Sequence, residues 1–280
     1  MVNAAAKKCP ICADPGNIAA RDEDLNVYRC GLCGHVFGLV PKERRESYGE
    51  DYFAEAHRNY FENPDRRMYS FIYSEILRFI DRKDISILDA GCGQGEFLKY
   101  IASKNPEASL TGIDLTDNHH PSIRFLKGDV LKTDLGRGFD VICSLAVIEH
   151  LDDPALFLMR LKDALKPGGI MAIMTINDDG LICGVARLMN KVGMRGPYGR
   201  VYDSHNLQYF TAGSLKKLME LGGLEALAYR KHNYSLRSVD VPAGGIFSET
   251  IYRLAAGALF LLSVPLGSQL LQTIVCRKPE

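Results

Sequence analysis

The sequence predicts an α/β protein: a mostly parallel sheet of seven strands, covered by helices on both faces, behind a small cysteine-rich module. Three observations carry this. Short apolar runs alternate with helical stripes from Asp84 onward. A run of alternating glycines joins the first of those strands to a helix, and two Cys-x-x-Cys pairs stand near the N-terminus.

Residues 1–40 have turn residues and paired cysteines with little periodicity, and read as a metal-binding ribbon. Residues 41–63 read as a charged linker with an aromatic lead-in, in which Tyr52 and Phe53 are candidates to fold over a ligand as a lid. From Pro64 a helix is predicted, with Phe71, Ile72, Glu75, Ile76, Phe79 and Ile80 at helical spacing, opening a domain over 64–280. Strands are predicted at Ile85–Ala90, Leu110–Leu115, Ile123–Lys127, Phe139–Leu145, Ile170–Ile176, Leu224–Tyr229 and Leu271–Cys276. Helices fall at Glu96–Ser103, from Pro154 to Leu165, and at Ser214–Leu221; Lys166-Pro167-Gly168-Gly169 stops the second of these. Asn177 to Phe210 reads as a long irregular stretch.

The 34 basic and 34 acidic residues cancel. That removes the overall field a nucleic-acid partner would need and leaves only local patches. Met1 to Lys8 has no apolar run behind its lysines, so a signal peptide is not expected and the expected location is cytoplasmic. Leu254 to Cys276 carries one uninterrupted uncharged stretch of nearly bilayer length. Pro265, Gly267, Ser268, Gln269 and Gln272 break it, so a buried helix followed by a core strand is expected, with peripheral membrane contact as the minor alternative.

The strongest motif is Asp89-Ala90-Gly91-Cys92-Gly93-Gln94-Gly95. Glycines there let the chain turn sharply and let a ligand approach closely. A dinucleotide fingerprint spaces its glycines differently and sets a pyrophosphate on the helix N-terminus. Here Asp89 would repel a phosphate and suits a ligand with an ammonium group, such as the methionine part of S-adenosylmethionine. Asp114, with Leu115 beside it, ends the second strand where a carboxylate can take both ribose hydroxyls. Gly128, Asp129 and Val130 follow the third, where Asp129 can take the adenine amino group, and Ser144 and Leu145 end the fourth beneath the methionine.

These residues, with Phe139-Asp140, Glu149-His150-Leu151, Leu165 to Gly169 and His205 to Thr211, resemble the class I methyltransferase family over residues 64–230, in its small-molecule branch. The resemblance implies a Rossmann-like seven-stranded methyltransferase sheet and S-adenosylmethionine as cofactor.

Cys9 and Cys12 are separated from Cys30 and Cys33 by a spacing typical of a closed four-thiolate zinc site, read as structural Zn2+, with iron as the alternative. His35 is adjacent but superfluous as a ligand. The whole chain resembles zinc-ribbon methyltransferases, which include enzymes of sugar and surface-polysaccharide modification. Ribosomal-RNA guanine methyltransferases also begin with a zinc module, but theirs finishes with a histidine where this chain has a second complete Cys-x-x-Cys.

Methyl transfer needs mainly alignment and exclusion of water, and a base only if the nucleophile must lose a proton. Glu149, His150 and His205 are the candidate catalytic residues, with Tyr198, Tyr202 and Asp203 as lesser alternatives whose plainer reading is a solvated loop. Ubiquinone-type O-methyltransferases, as the resemblance implies, build a divalent-metal site that uses a glutamate three residues before Glu149. That position is Ala146, so no catalytic metal is expected. The expected acceptor is a small molecule or sugar/glycan, methylated at a hydroxyl; RNA base methylation and a non-catalytic cofactor-binding scaffold are the alternatives.

Overall fold

A computed structural model describes residues 8–22, 26–39, 63–202, 206–239 and 245–280. Tyr52, Phe53, Asp203 and His205 lie outside the described residues.

The cysteine-rich module contains three antiparallel strands, β1 (Ile18–Asp22), β2 (Val27–Cys30) and β3 (Val36–Gly38). The main sheet is built from β4 (Ser86–Ala90), β5 (Ser109–Asp114), β6 (Ile123–Lys127), β7 (Phe139–Leu145), β8 (Leu165–Ile176), β10 (Glu225–His232) and β11 (Leu271–Arg277). Across the sheet these seven strands stand in the order β10-β11-β8-β7-β4-β5-β6. β4 through β8 run parallel to one another, while β11 is antiparallel to both β8 and β10. The predicted fold class therefore holds, and the strand order reverses between β4 and β7, where ligand crevices form.

Alternation along the strands supplies the two core layers. Ile87, Val141, Cys143, Ala172 and Val275 face α1 (Arg66–Leu77) and α2 (Glu96–Lys104). Leu88, Ile142, Met171, Ile173 and Ile274 face the other layer, built on α3 (Pro154–Ala164) and α6 (Ala212–Leu221). The caps match the sequence: Asp65 accepts from the amides of Arg67 and Met68 at the start of α1, and Asp153 precedes Pro154 and accepts from Leu156. Thr211 and Ser214 close a capping box on α6.

Three expectations need correction. The strand expected from Ile170 begins at Leu165: the helix stops before Lys166–Gly169 as expected, and that run lies within β8 as an excursion, because pairing with β7 jumps from Phe139 with Leu165 to Val141 with Ile170. Asn177 to Phe210 is mostly regular: α4 (Leu181–Lys191), α5 (Arg195–Val201) and the short strand β9 (Gln208–Tyr209) lie in it. Tyr198 and Tyr202 are buried there, stacked at 4.5 Å, instead of sitting on a solvated loop. Finally, the apolar segment forms α7 (Gly245–Ser263), whose leucines are largely exposed: Leu254 is 68% and Leu261 77% accessible. No helix among the described residues is long and apolar enough to cross a membrane.

β9 extends the sheet of the cysteine module as a fourth strand. Val36 pairs with Tyr209 and Phe37 with Gln208. The module is thus joined to the main domain by backbone pairing.

Candidate active site

The loops after β4, β5, β6 and β7 surround one cavity of about 340 Å³, at the carboxyl ends of the parallel strands. Of the sequence-predicted cofactor residues, Asp89, Gly91, Cys92, Gly93, Asp114, Leu115, Gly128, Asp129, Val130 and Leu145 line it, as do Glu149 and His150. Gly95 and Ser144 do not. Gly95 starts α2 in a left-handed conformation with the ring of Phe125 against it, and the Ser144 hydroxyl donates to the Ala90 carbonyl at 2.9 Å.

The glycine loop is shaped by the protein's own packing. Gly91 has φ +76°, and a Cβ there would stand 2.4 Å from Val147 Cγ2. The loop therefore lies against the segment after β7, and the glycine serves that contact as much as ligand approach. The Gly93 amide donates to Asp114 Oδ2 at 2.8 Å, and Asp114 Oδ1 accepts from the Thr116 amide and hydroxyl. Three of roughly four acceptor directions of this carboxylate are used, leaving fewer for ribose hydroxyls than the sequence alone suggests.

Asp89 is buried, and its Oδ1 has no hydrogen-bond partner. Burial, with the Asp114 charge adding to it, pushes its carboxyl up to about 7. Such a group is short of a cation, and a phosphate placed on this loop would be repelled. Burial would also raise Asp129, but the Leu131 amide at 2.9 Å and Lys132 at 3.0 Å outweigh it and hold its carboxyl below the ordinary value. The Cys92 thiol is pushed up by burial and by Asp89 and Asp114, so it is an un-ionised wall of the cavity.

Glu149 is buried and accepts from the Thr175 hydroxyl at 2.9 Å, while its backbone carbonyl accepts from the Leu207 amide at 2.7 Å. Burial raises its carboxyl, and His150 and Thr175 offset only part of that. Beside it, Ala146 holds φ +56°, a backbone conformation costly for any non-glycine residue, at a position lining the cavity.

Sequence reasoning missed other cavity residues. Tyr69 of α1 and Phe97 of α2 lie on helical faces whose periodicity marks burial but not function. Tyr234 and Ser238 follow β10 in a stretch without periodicity, and Asn206 adjoins residues outside those described.

The four predicted metal ligands converge separately. Cys9 Sγ lies 3.5 Å from Cys33 Sγ, Cys12 Sγ 3.6 Å from Cys30 Sγ, and all four sulfurs are within 4.8 Å of one another. A tetrahedral tetrathiolate zinc site, with bonds of about 2.3 Å, has sulfurs about 3.8 Å apart. Each knuckle ends in a left-handed residue, Ala13 at φ 58° and Gly34 at φ 72°, whose amides return to the carbonyls of Cys9 and Cys30. Burial pushes the Cys9 thiol up to about 11, so a cation among the sulfurs is what would keep them ionised.

A family model described as a methyltransferase domain matches residues 64–229. The ubiquinone biosynthesis O-methyltransferase of Dinoroseobacter shibae is 30% identical over 155 residues, which is 51% of this chain and 61% of that protein. The chain therefore spans less than two thirds of that relative's length. Among solved structures, a complex of the Haloferax volcanii Trm112 methyltransferase activator with a methyltransferase aligns with TM-score 0.57 at 17% identity, over 84% of this chain and 100% of that one. The plantazolicin methyltransferase BpumL, solved with a desmethylPZN analog and SAH, aligns with TM-score 0.54 at 20% identity, over 82% and 94%. At these identities the structures speak for the fold. With the family match covering more than half its residues, the chain belongs to the methyltransferase domain family.

Proposed function

We propose that this chain transfers a methyl group from S-adenosylmethionine to a hydroxyl of a small-molecule or sugar/glycan acceptor, and that its four cysteines hold a structural zinc ion. The observation that carries the first part is Asp89: a buried carboxylate oxygen without a partner, beneath a glycine loop and beside Asp114. When bound, S-adenosylmethionine supplies a methyl carbon activated by a sulfonium. Asp89 would hold the ammonium end, Asp114 the ribose and Asp129 the adenine amino group. Leu115, Val130 and Leu145 close the cavity with apolar surface, which excludes water.

On the acceptor side, His150 lines the cavity, and one of its ring nitrogens would take the proton of the acceptor hydroxyl. His205 is the second candidate by sequence position. The relative named as an O-methyltransferase supports a hydroxyl acceptor. A net charge of zero supports an acceptor other than nucleic acid.

The test is incubation with methyl-labelled cofactor and fractionated cell extract. Label should enter a sugar or small-metabolite pool. Label confined to RNA would replace the acceptor, and tight cofactor binding with no label transferred would make the protein a scaffold.

A further inference from the structure

Helix α7 turns an apolar side outward. Ile251, Leu254, Ala255, Ala258, Leu261 and Leu262 recur at three- and four-residue spacing and are exposed, while Ala256, Phe260 and Ser263 face inward. A helix on a water-facing surface normally shows the reverse pattern. Single exposed leucines need no explanation, but a continuous stripe marks an interaction surface. The stripe runs on through Val264 and Leu266, at 58% and 65% exposure. Helix α4 packs against α7 and leads into exposed Leu188, Val192 and Met194.

The charges around this face are mostly basic, with Glu249 as an acid at the start of the same helix. Residues 181–202 and 250–270 contain no aspartate or glutamate. Their cations are Lys191, Arg195, Arg200 and Arg253, together with Arg187, which pairs with Asp178. Arg200 lies over the Tyr252 ring at 5.4 Å, which ties α5 to α7. Asp22, bonded to Asn190, is an acid that the described contacts bring to the edge. In a chain without net charge this is a local basic rim on an apolar stripe. A second copy related by a two-fold axis would bring largely the same cations against each other, with Glu249 and Asp22 as the acids at the margin. An anionic lipid surface complements both the stripe and the rim.

We propose that α7 and the adjoining end of α4 form a membrane-docking face that lies in the headgroup region of an anionic bilayer. The leucines enter the acyl boundary, and the cations stay at the level of the lipid phosphates. The segment lies on the bilayer instead of spanning it, consistent with its length and breakers. The face also adjoins the cavity. Arg253 donates to the Leu236 carbonyl at 2.7 Å, and Tyr234, a cavity residue, meets Phe260 of α7 edge-on at 5.6 Å. Docking places lipid next to the elements that hold one wall of the site.

Flotation of the full chain with phosphatidylcholine vesicles, with and without phosphatidylglycerol, tests this independently of any methyl transfer. The protein should float with the anionic vesicles at low salt and be released at high salt, where screening shortens from about 10 Å at 0.1 M to about 3 Å at 1 M. Leu254→Glu with Leu261→Glu, at two exposed positions where the fold should survive, should reduce flotation at least about tenfold. Lys191→Gln should weaken it roughly fivefold. The proposal fails if the wild-type chain floats with neither vesicle at low salt, or if the double variant floats as well as wild type. It also fails if the chain does not float and is instead a dimer that the double variant splits, which would assign the face to a second copy.

Discussion

His35 of the cysteine module and Gln208 of β9, 173 residues apart in sequence, share a buried hydrogen bond of 2.9 Å. The Gln208 amide nitrogen donates to the Leu151 carbonyl at 2.9 Å, so its oxygen is the acceptor and His35 Nε2 carries the proton. His35 Nδ1 faces the hydroxyl of Ser214, in the cap of α6, at 3.2 Å. Burial, partly offset by Gln208 and Asp178, lowers the imidazole to about 4, so it is neutral at ordinary pH. The ribbon is therefore connected through one glutamine side chain to Leu151, a residue of the cavity wall. His35→Ala would leave the buried Gln208 side-chain oxygen without its histidine donor and remove a ring packed 4.8 Å from Phe210. It should lower stability by about 2 to 4 kcal/mol in urea denaturation. A loss under 1 kcal/mol, on the order of an exposed contact, would show that the bond does little.

This contact also marks the limit of what the chain could be read for. The parallel strands were legible because burial on both faces makes each a short apolar run, and the glycine loop because its backbone turns require the residue type. His35 looked superfluous because its partners are brought to it only by folding. β9 has two residues, too few for any period. Helix α4 begins after Gly180 without a side-chain cap, and Gly193, Gly196 and Gly199 interrupt the next stretch of chain, so no start or stop signal outlined α4 and α5. The composition of α7 suggested burial, because apolar residues predict contact without naming what they contact.

Asp89 sets a pH dependence with a definite sign. Its carboxyl lies near 7 in the free protein, and an ammonium group beside it would favour the ionised form. Below about 7, cofactor binding must therefore release a proton. Affinity should fall by up to about tenfold per pH unit as pH drops below that value, and this limb should vanish in Asp89→Asn. Calorimetry in buffers of different ionisation heat measures the released proton directly. The same carboxyl is raised above its unfolded value of 3.8, so its contribution to stability is full below about 4 and is lost as pH rises through about 7.

Asp114 joins two roles, since it accepts the Gly93 amide and is the candidate ribose contact. Asp114→Ala should weaken cofactor binding by roughly a hundredfold or more, the loss expected for charge-assisted hydrogen bonds. The far-ultraviolet circular dichroism should not change. Wild-type affinity would mean that the ribose is held elsewhere.

Cys9→Ser with Cys12→Ser removes half of the sulfur cluster. Elemental analysis should show one metal ion per wild-type chain and its loss from the variant, and it distinguishes zinc from iron. Because β3 pairs with β9 and His35 reaches Ser214, metal loss should also lower the melting temperature of the whole chain. Undiminished metal in the variant would rule out these cysteines as its ligands.

His150 and His205 compete for the role of base. His150 lines the cavity next to Glu149, whose carboxyl is raised by burial and already engaged by the Thr175 hydroxyl. If His150 takes the acceptor proton, His150→Ala should lower kcat by about a hundredfold or more while cofactor affinity stays within about twofold. His205→Ala should then leave kcat near wild type and act, if at all, on the KM for acceptor. The opposite pattern would assign the base to His205. If neither substitution changes kcat, the acceptor reaches the site with its nucleophile already free of the proton, and alignment within the cavity carries the reaction.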